Sequence, residues 1–231
     1  MDNTPISIII PVLNNEDSIG ECLSHLVAYG RGAEIIVVDG GSEDSTVATA
    51  QEFPVRIFGG QSNRPARMNY GASKAKRDIL YFLDPETIPP KDFVEDIYNS
   101  FLDGYIGGCF NIKFVNGPWM TTIQKFMSRF RITWTGGGDH SLFLWSHTFN
   151  FLGGFNEKLE IMEDFDLVDR LRRMGKFQVI PNDIHVRPQK YNSISYIRVQ
   201  LANVFVYQLY RLGYNQEILK RTWSRMLEKS G

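Results

Sequence analysis

Asp78-Ile79-Leu80-Tyr81-Phe82-Leu83-Asp84-Pro85-Glu86-Thr87-Ile88-Pro89-Pro90 is the stretch on which the fold of this 231-residue chain turns. Five apolar residues, Ile79 to Leu83, run without a polar break. Such a run suits a strand buried on both faces of a parallel sheet. It stops at two acids, Asp84 and Glu86, with Pro85 between them. In open α/β sheets, ligands gather at the carboxyl ends of the strands. Two carboxylates placed there offer oxygen ligands to a hard divalent cation, which usually keeps substrate phosphates in its shell. Taken alone, the stretch reads equally well as an acidic, solvated loop.

The residues before it favour the first reading. Ile6–Pro11 is β-branched and apolar, a first buried strand that Pro11 ends because proline offers no N–H to a ladder. A polar turn through Asn14, Asn15 and Glu16 follows, and Ser18 is expected to cap a helix whose apolar face is Ile19, Cys22, Leu23 and Leu26. Glu34–Asp39 is a second strand ending in an acid, and Gly40–Ser45 is a turn and a helix cap. Thr46–Phe53 reads as a short helix and Val55–Phe58 as a third strand. This βαβαβ outline, with polar groups delivered to one edge, is that of a doubly wound nucleotide-binding half. It has neither Gly-x-Gly-x-x-Gly nor a Walker lysine, which disfavours a dinucleotide or P-loop site. Arg64 and Arg67 flank Pro65 and Ala66 at the start of a helix, an end that already favours anions and to which guanidiniums add forked donors for phosphate. Two surface arginines are the plainer reading of that pair.

Beyond Pro90 an amphipathic helix is expected with Phe93, Val94, Ile97 and Phe101 inward, then a half-buried strand over Gly107–Val115 and a helix over 119–131. Trp134–His140 reads as a glycine-rich loop and Ser141–Trp145 as a short strand. Gly153-Gly154-Phe155 is a turn. The stretch Ile161–Leu167 starts a helix that is expected to carry Leu167, Val168, Leu171 and Met174 inward and to stop at Gly175. Glu163, Asp164 and Asp166 crowd its first turn, where acids complement the helix dipole, and where a carboxylate can also face a cleft as a general base. Phe177–Pro181 and Asp183–Pro188 look like two short strands, the second carrying His185 and Arg187 on one face. A lone histidine is more often structural than a ligand. From Ser193 the tail is helical, with Leu201, Val204, Phe205, Gln208 and Leu209 on its apolar side, followed by a basic helix carrying Lys220, Arg221, Arg225 and Lys229. Three readings of this tail stand: a hairpin packing on the core, a surface for a homo-oligomer, or a peripheral contact with a membrane surface.

The totals exclude other classes. Apolar residues are 43% of the chain, enough for a full core without disulfides or a structural metal. A net charge of −1 gives no electrostatic reason to expect nucleic acid. Cys22 and Cys109 are the only cysteines and sit in apolar patterns, as buried thiols of a reducing compartment do. No signal sequence opens the chain and no window has the ~18 uninterrupted apolar residues of a transmembrane segment, so a cytoplasmic location is expected.

Taken together, these pieces resemble a known family. The chain is similar to bacterial family 2 glycosyltransferases of GT-A fold, and within them to the compact "transferase 2" type associated with radical-SAM and selenodomain proteins. The resemblance rests on Ile8-Ile9-Ile10-Pro11-Val12-Leu13-Asn14, on Ile36-Val37-Val38-Asp39-Gly40-Gly41-Ser42-Glu43-Asp44, and on Arg64-Pro65-Ala66-Arg67-Met68-Asn69-x-Gly71-Ala72. Phe82-Leu83-Asp84-Pro85-Glu86-Thr87 stands at the family's Asp-x-Asp region, and Gly153-Gly154-Phe155 and Met162-Glu163-Asp164 match two later motifs. Asn15 stands where an acid commonly follows the first asparagine, Arg67 where the branch has glutamine, and Glu86 where Asp-x-Asp ends.

The resemblance implies an α/β fold with a mostly parallel central sheet flanked by helices and a C-terminal helical tail. Residues 1–190 would form one catalytic domain, with a nucleotide-binding half (1–90) and an acceptor half (91–190), and 191–231 a helical extension. It implies transfer of a sugar from a UDP- or GDP-type nucleotide sugar to an acceptor hydroxyl with inversion. Pro11, Asn14, Glu16 and Asp39 would hold base and ribose, and Arg64, Arg67 and Asp84 would complete the nucleotide-sugar contacts. Glu86 with Asp84 would bind Mn²⁺ or Mg²⁺; with His185 as a third ligand, as in some GT-A enzymes, the set suits Mn²⁺. Asp164 would be the general base. A nucleotide-sugar-binding protein without turnover is the alternative, and a sugar-1-phosphate nucleotidyltransferase ranks below it, because Val12–Asp17 holds neither glycine nor a basic residue.

Overall fold

The computed structural model describes residues 4–60, 63–114, 141–186 and 196–227. The helix expected over 119–131, the loop at 134–140, Arg187 and Lys229 lie outside the described residues.

Among the described residues, eight strands form one sheet: β1 (Ile6–Val12), β2 (Glu34–Asp39), β3 (Arg56–Gly59), β4 (Ile79–Leu83), β5 (Thr87–Ile88), β6 (Gly107–Phe114), β7 (Ser141–Trp145) and β8 (Phe177–Val186). Their order is β3-β2-β1-β4-β7-β6-β8-β5. The pairings β1–β2, β1–β4, β2–β3 and β6–β8 are parallel, whereas β7 runs against β4 and β6, and β5 against β8. The carboxyl ends of β1, β2, β4, β6 and β8 therefore open onto one edge.

The helices are α1 (Glu16–Tyr29), α2 (Thr46–Gln51), α3 (Arg64–Lys74), α4 (Phe93–Leu102), α5 (Ser146–Phe151), α6 (Glu163–Met174), α7 (Tyr196–Arg211) and α8 (Gln216–Leu227). They cover both faces of the sheet. Because side chains alternate along a strand, β1 sends Ile6, Ile8, Ile10 and Val12 to one layer and Ile9 to the other. The first layer adds Ile79, Tyr81 and Leu83 of β4 and the inner faces of α1 and α4. The second joins Leu80 and Phe82 to Met68 of α3, Phe149 of α5, Phe155, and Leu167, Val168 and Leu171 of α6. The unbroken apolar run of β4, and that of β1 from Ile8 to Val12, are thus required by cores on both sides.

Several boundaries differ from the sequence reading. Residue Ser18 lies inside α1 and not at its cap. Asn15 precedes the helix, and its carbonyl oxygen accepts from Ser18 N and Ile19 N at 3.1 and 3.0 Å. The two strands expected around Pro181 are one, β8, whose register against β6 shifts between Phe110 and Asn111. The bulge lets the ladder pass Pro181, which has no N–H to give. Strand β5 and helix α5 are too short to show a period. Among the described side chains of α7, the buried ones are Ala202 and Val206, while Leu201 and Phe205 are 58% and 51% exposed. Tyr207 and Tyr210 hydrogen-bond α6 and Asn203 accepts from the Trp223 indole, so polar partners, more than apolar spacing, set which face turns inward. No described helix is long and apolar enough to cross a membrane.

Helix α3 lies hard against the sheet at Gly71. A Cβ there would sit 2.5 Å from Cγ2 of Ile9 and 3.0 Å from Cγ2 of Val38. Both neighbours are β-branched and stiff at χ1. Gly71→Ala is therefore expected to destabilise the chain by about 1–3 kcal/mol, the usual cost of overpacking. Urea unfolding checks this, and in a double-mutant cycle with Ile9→Ala the two changes should be less costly together than their sum.

Candidate active site

At the carboxyl edge of β1 and β2, two turns lock each other. Asp39 ends β2 and accepts from Gly41 N (3.0 Å), Ser42 N (3.1 Å) and the Ser42 hydroxyl (2.6 Å). Asn14, in the left-handed region at φ 54°, gives its N–H to Ser42 Oγ at 2.9 Å and accepts from Glu43 N at 2.9 Å. Asparagine tolerates that conformation better than most residues. Glu16 accepts from Ser45 N at 2.9 Å. Three residues expected to meet the nucleotide are thus first of all the latch between the β1 and β2 turns. Pro11 is buried in the sheet opposite Val38, so it directs the chain to the edge and offers it no surface.

Arg67 lies beneath the β2 turn. Its Nη1 is 2.4 Å from where a Gly40 Cβ would be, so a glycine is what lets the guanidinium lie against the turn. Burial lowers its pKa and the nearby Arg64 charge adds to this, against the pull of Asp39.

Arg64 is the centre of the site. It opens α3, whose N-cap Asn63 accepts from Ala66 N at 2.8 Å and whose Pro65 fits the first turn. Arg64 Nη1 donates to Glu163 Oε1 at 2.7 Å and to Asp164 Oδ2 at 2.8 Å, and Nη2 reaches Asp84 Oδ1 at 3.3 Å. Burial works against its charge, but the pull of Asp164, Asp84 and Glu163 outweighs it and holds the guanidinium well above the ordinary arginine pKa. One cation thus joins the acid at the end of β4 to two acids at the start of α6. The Asp164 side chain is 7% exposed and that of Asp84 25%.

Asp166, two residues beyond Asp164 and on another side of the helix, does different work. It accepts from Arg170 Nε at 2.9 Å and from the Tyr210 hydroxyl at 2.7 Å. Arg170 in turn donates to the carbonyls of Leu152 and Gly154 at 2.7 and 2.8 Å. The glycine pair Gly153 and Gly154, at φ 79° and 71°, forms the turn that Asn69 of α3 clasps. Asn69 accepts from Phe155 N at 2.8 Å and donates to the Phe155 carbonyl at 2.9 Å. Phe155 packs edge-on against Phe82 of β4, centroids 4.9 Å apart.

Met162, immediately before Glu163, has φ 69°. For a bulky residue this left-handed backbone costs roughly 1–2 kcal/mol, and it persists only where its surroundings over-determine it. Those surroundings are the α7–α8 hairpin, since Met162 is buried with Val206 and Leu219.

Glu86 follows Pro85 on the β4 edge and is half-buried. The β5–β8 ladder sets His185 opposite Ile88, two residues along from Glu86. Among the described residues, no three His, Cys, Asp or Glu side chains stand close enough together to hold a metal ion. The donors present still fit a hard cation: Asp84 already faces a positive group, and both Asp84 and Glu86 are oxygen ligands at a strand end. The sequence reading missed Gln216, Tyr207 and Tyr210 as residues that bear on the site. The three-residue spacing of the tyrosines on α7 was the available signal.

The model of the family described as Glycosyl transferase family 2 matches residues 7–166. Among characterised proteins, glucosyl-3-phosphoglycerate synthase of Petrotoga mobilis is 32% identical over 143 residues, covering 58% of this chain and 43% of that protein. Glycosyltransferase AglE of Haloferax volcanii is 30% identical over 126 residues, 48% of this chain and 41% of that protein. The chain thus spans about two fifths of the length of these relatives. Of solved structures, mannosyltransferase PcManGT of Pyrobaculum calidifontis, in complex with GDP-Man and Mn²⁺, superposes with a TM-score of 0.71 at 15% identity, over 95% of this chain and 68% of that one. Glucosyl-3-phosphoglycerate synthase of Mycobacterium tuberculosis, with Mn²⁺, UDP and glucosyl-3-phosphoglycerate, does so at 0.61 and 18%, over 90% and 80%. At such identities the likeness is one of fold, the GT-A fold. By the span of the family match, this chain belongs to glycosyl transferase family 2.

Proposed function

We propose that this chain transfers a glycosyl group from a nucleoside-diphosphate sugar to an acceptor hydroxyl, with inversion, and that Asp164 is its general base. The observation that carries the reading is the Arg64 bridge. It brings Asp84, where a donor diphosphate and its cation would lie, to the same edge as the buried carboxylate of Asp164. The complexes of the two structural relatives, one with GDP-Man and Mn²⁺ and one with UDP and Mn²⁺, support a donor of this class.

In this reading the base and ribose rest on the latched turns of Asn14 and Asp39, with Arg67 beneath them. Glu86 and Asp84 would hold Mn²⁺ or Mg²⁺, which when bound supplies positive charge to the leaving diphosphate. His185 joins the proposed ligand set by its register position beside β5. The acceptor oxygen bonds to the anomeric carbon as the bond from that carbon to the diphosphate oxygen breaks, and the electron pair leaves with the diphosphate. The acceptor's proton passes to Asp164. Arg64 fixes the orientation of that carboxylate through Oδ2. Glu163 shares the same guanidinium and anchors it on the α6 side when Asp84 is otherwise engaged.

Two experiments test the reading. Asp164→Asn should lower the rate of nucleoside diphosphate release from a panel of UDP- and GDP-sugars by about 10²–10⁴-fold, the usual contribution of a general base. Equal rates in variant and wild type would remove that role. In calorimetry of UDP and GDP, Mn²⁺ should tighten binding, and Glu86→Ala should abolish that gain. Binding that ignores both the ion and Glu86→Ala would remove the metal site.

A further inference from the structure

The family match ends at residue 166, yet the contacts that hold the approach to α6 come from beyond it. Residues 160–162 lead into Glu163 and Asp164, and each is fixed by the C-terminal hairpin. Gln216, the first residue of α8, accepts through Oε1 from Glu160 N at 2.9 Å and from Ile161 N at 3.1 Å. Lys220, one turn on, pairs with the Glu160 carboxylate. Met162 is buried in a cluster with Val206 of α7 and Leu219 of α8, and Ile161, Phe165, Tyr207, Leu209, Tyr210 and Trp223 pack against it. Among the described residues, every member of that cluster comes either from residues 161–165 or from the hairpin. Farther along α6, the Tyr210 and Tyr207 hydroxyls donate to Asp166 at 2.7 Å and Asp169 at 2.8 Å.

Gln216 is itself well placed. The four residues before α8 make the turn out of α7, and Asn215 caps α8 by accepting from Ile218 N at 3.0 Å. An amide oxygen that accepts from two successive backbone N–H groups dictates the direction of that backbone. Here the next residue, Met162, sits in the left-handed region, and the one after it begins the helix that carries Asp164.

We infer that the α7–α8 hairpin is a positioning element for Asp164, with Gln216 as the residue that sets the approach of the chain to it. The inference rests on the proposed role of Asp164 and adds a device outside the region shared with the family model. Gln216 acts through the 160–162 backbone, and the Met162 pocket is the second restraint. Small misplacements of a reacting group cost rate far more than they cost binding of a distant nucleotide.

The test separates positioning from folding. With UDP-glucose and GDP-mannose as probes, Gln216→Met keeps the volume and loses the acceptor. It should lower kcat for nucleoside diphosphate release by about ten-fold or more, while Mn²⁺-supported binding of UDP and GDP stays within about two-fold. Gln216→Glu retains an oxygen facing both N–H groups and should restore most of the rate. A Gln216→Met chain with wild-type kcat, or one losing rate and nucleotide affinity in proportion, would overturn the proposal. Hydrogen exchange on the wild type gives a second arm that needs no variant. The amides of Glu160, Ile161 and the first turn of α6 should open together with α7 and α8, as one cooperative unit does; exchange of that segment independent of the hairpin would also overturn it. A wild type that acts on neither sugar nucleotide and binds neither UDP nor GDP would count against the proposed activity, and the exchange arm then decides the positioning role by itself.

Discussion

The contacts of Arg64 are the constraint on which the site depends. A guanidinium presents a planar fork of donors, and here it is shared among three carboxylates drawn from two separate parts of the chain. Asp84 ends a strand that is apolar on both faces, and Glu163 and Asp164 are buried at a helix start. Three acids converging without a cation would repel one another in a partly desolvated setting. The long contact is to Asp84, at 3.3 Å, and the short ones are to Glu163 and Asp164. The bridge is thus firmer on the α6 side, and Asp84 is the carboxylate most easily given to another cation.

The second constraint is the hairpin. A left-handed Met162 would be costly in an isolated segment. It stands because packing against Val206 and Leu219 and the amide of Gln216 leave the chain no other course. The sheet supplies the nucleotide edge, α3 supplies Arg64 and Asn69, and the hairpin fixes the entry into α6. A single helix, α6, therefore receives its position from both ends of the sequence: from α3 through Arg64 and from α7 and α8 through residues 160–162.

Much of the frame was legible in the sequence. The strands at Glu34–Asp39 and Ser141–Trp145 have the expected limits, and α1 buries the expected Ile19, Cys22, Leu23 and Leu26. These are segments where the period of the side chains and the buried face agree. Legibility failed where local pattern and tertiary contact part company. The apolar spacing of α7 points to Leu201 and Phe205, but two tyrosine hydroxyls bonded to α6 turn the other face inward. The β8 strand was split at Pro181 because a bulge cannot be seen without its partner strand. In the candidate site, Asp164 and Arg64 were each readable as residues of interest from the ends of helices. Their contact was not, because it spans 100 residues of sequence. The work of Gln216 was hidden for the same reason: its partners are 56 and 55 residues away.

The most direct measurement of the central claim, that Asp84 and Asp164 are two ends of one transfer site, is a crystal structure of this chain with Mn²⁺ and UDP or GDP. The ion should lie on the carboxylates at the end of β4, with the diphosphate beside it and Arg64 withdrawn from Asp84 while still bonded to Glu163. An ion and diphosphate bound away from the β4 edge, or Asp164 turned out of that cleft with Arg64 still on Asp84, would contradict that claim.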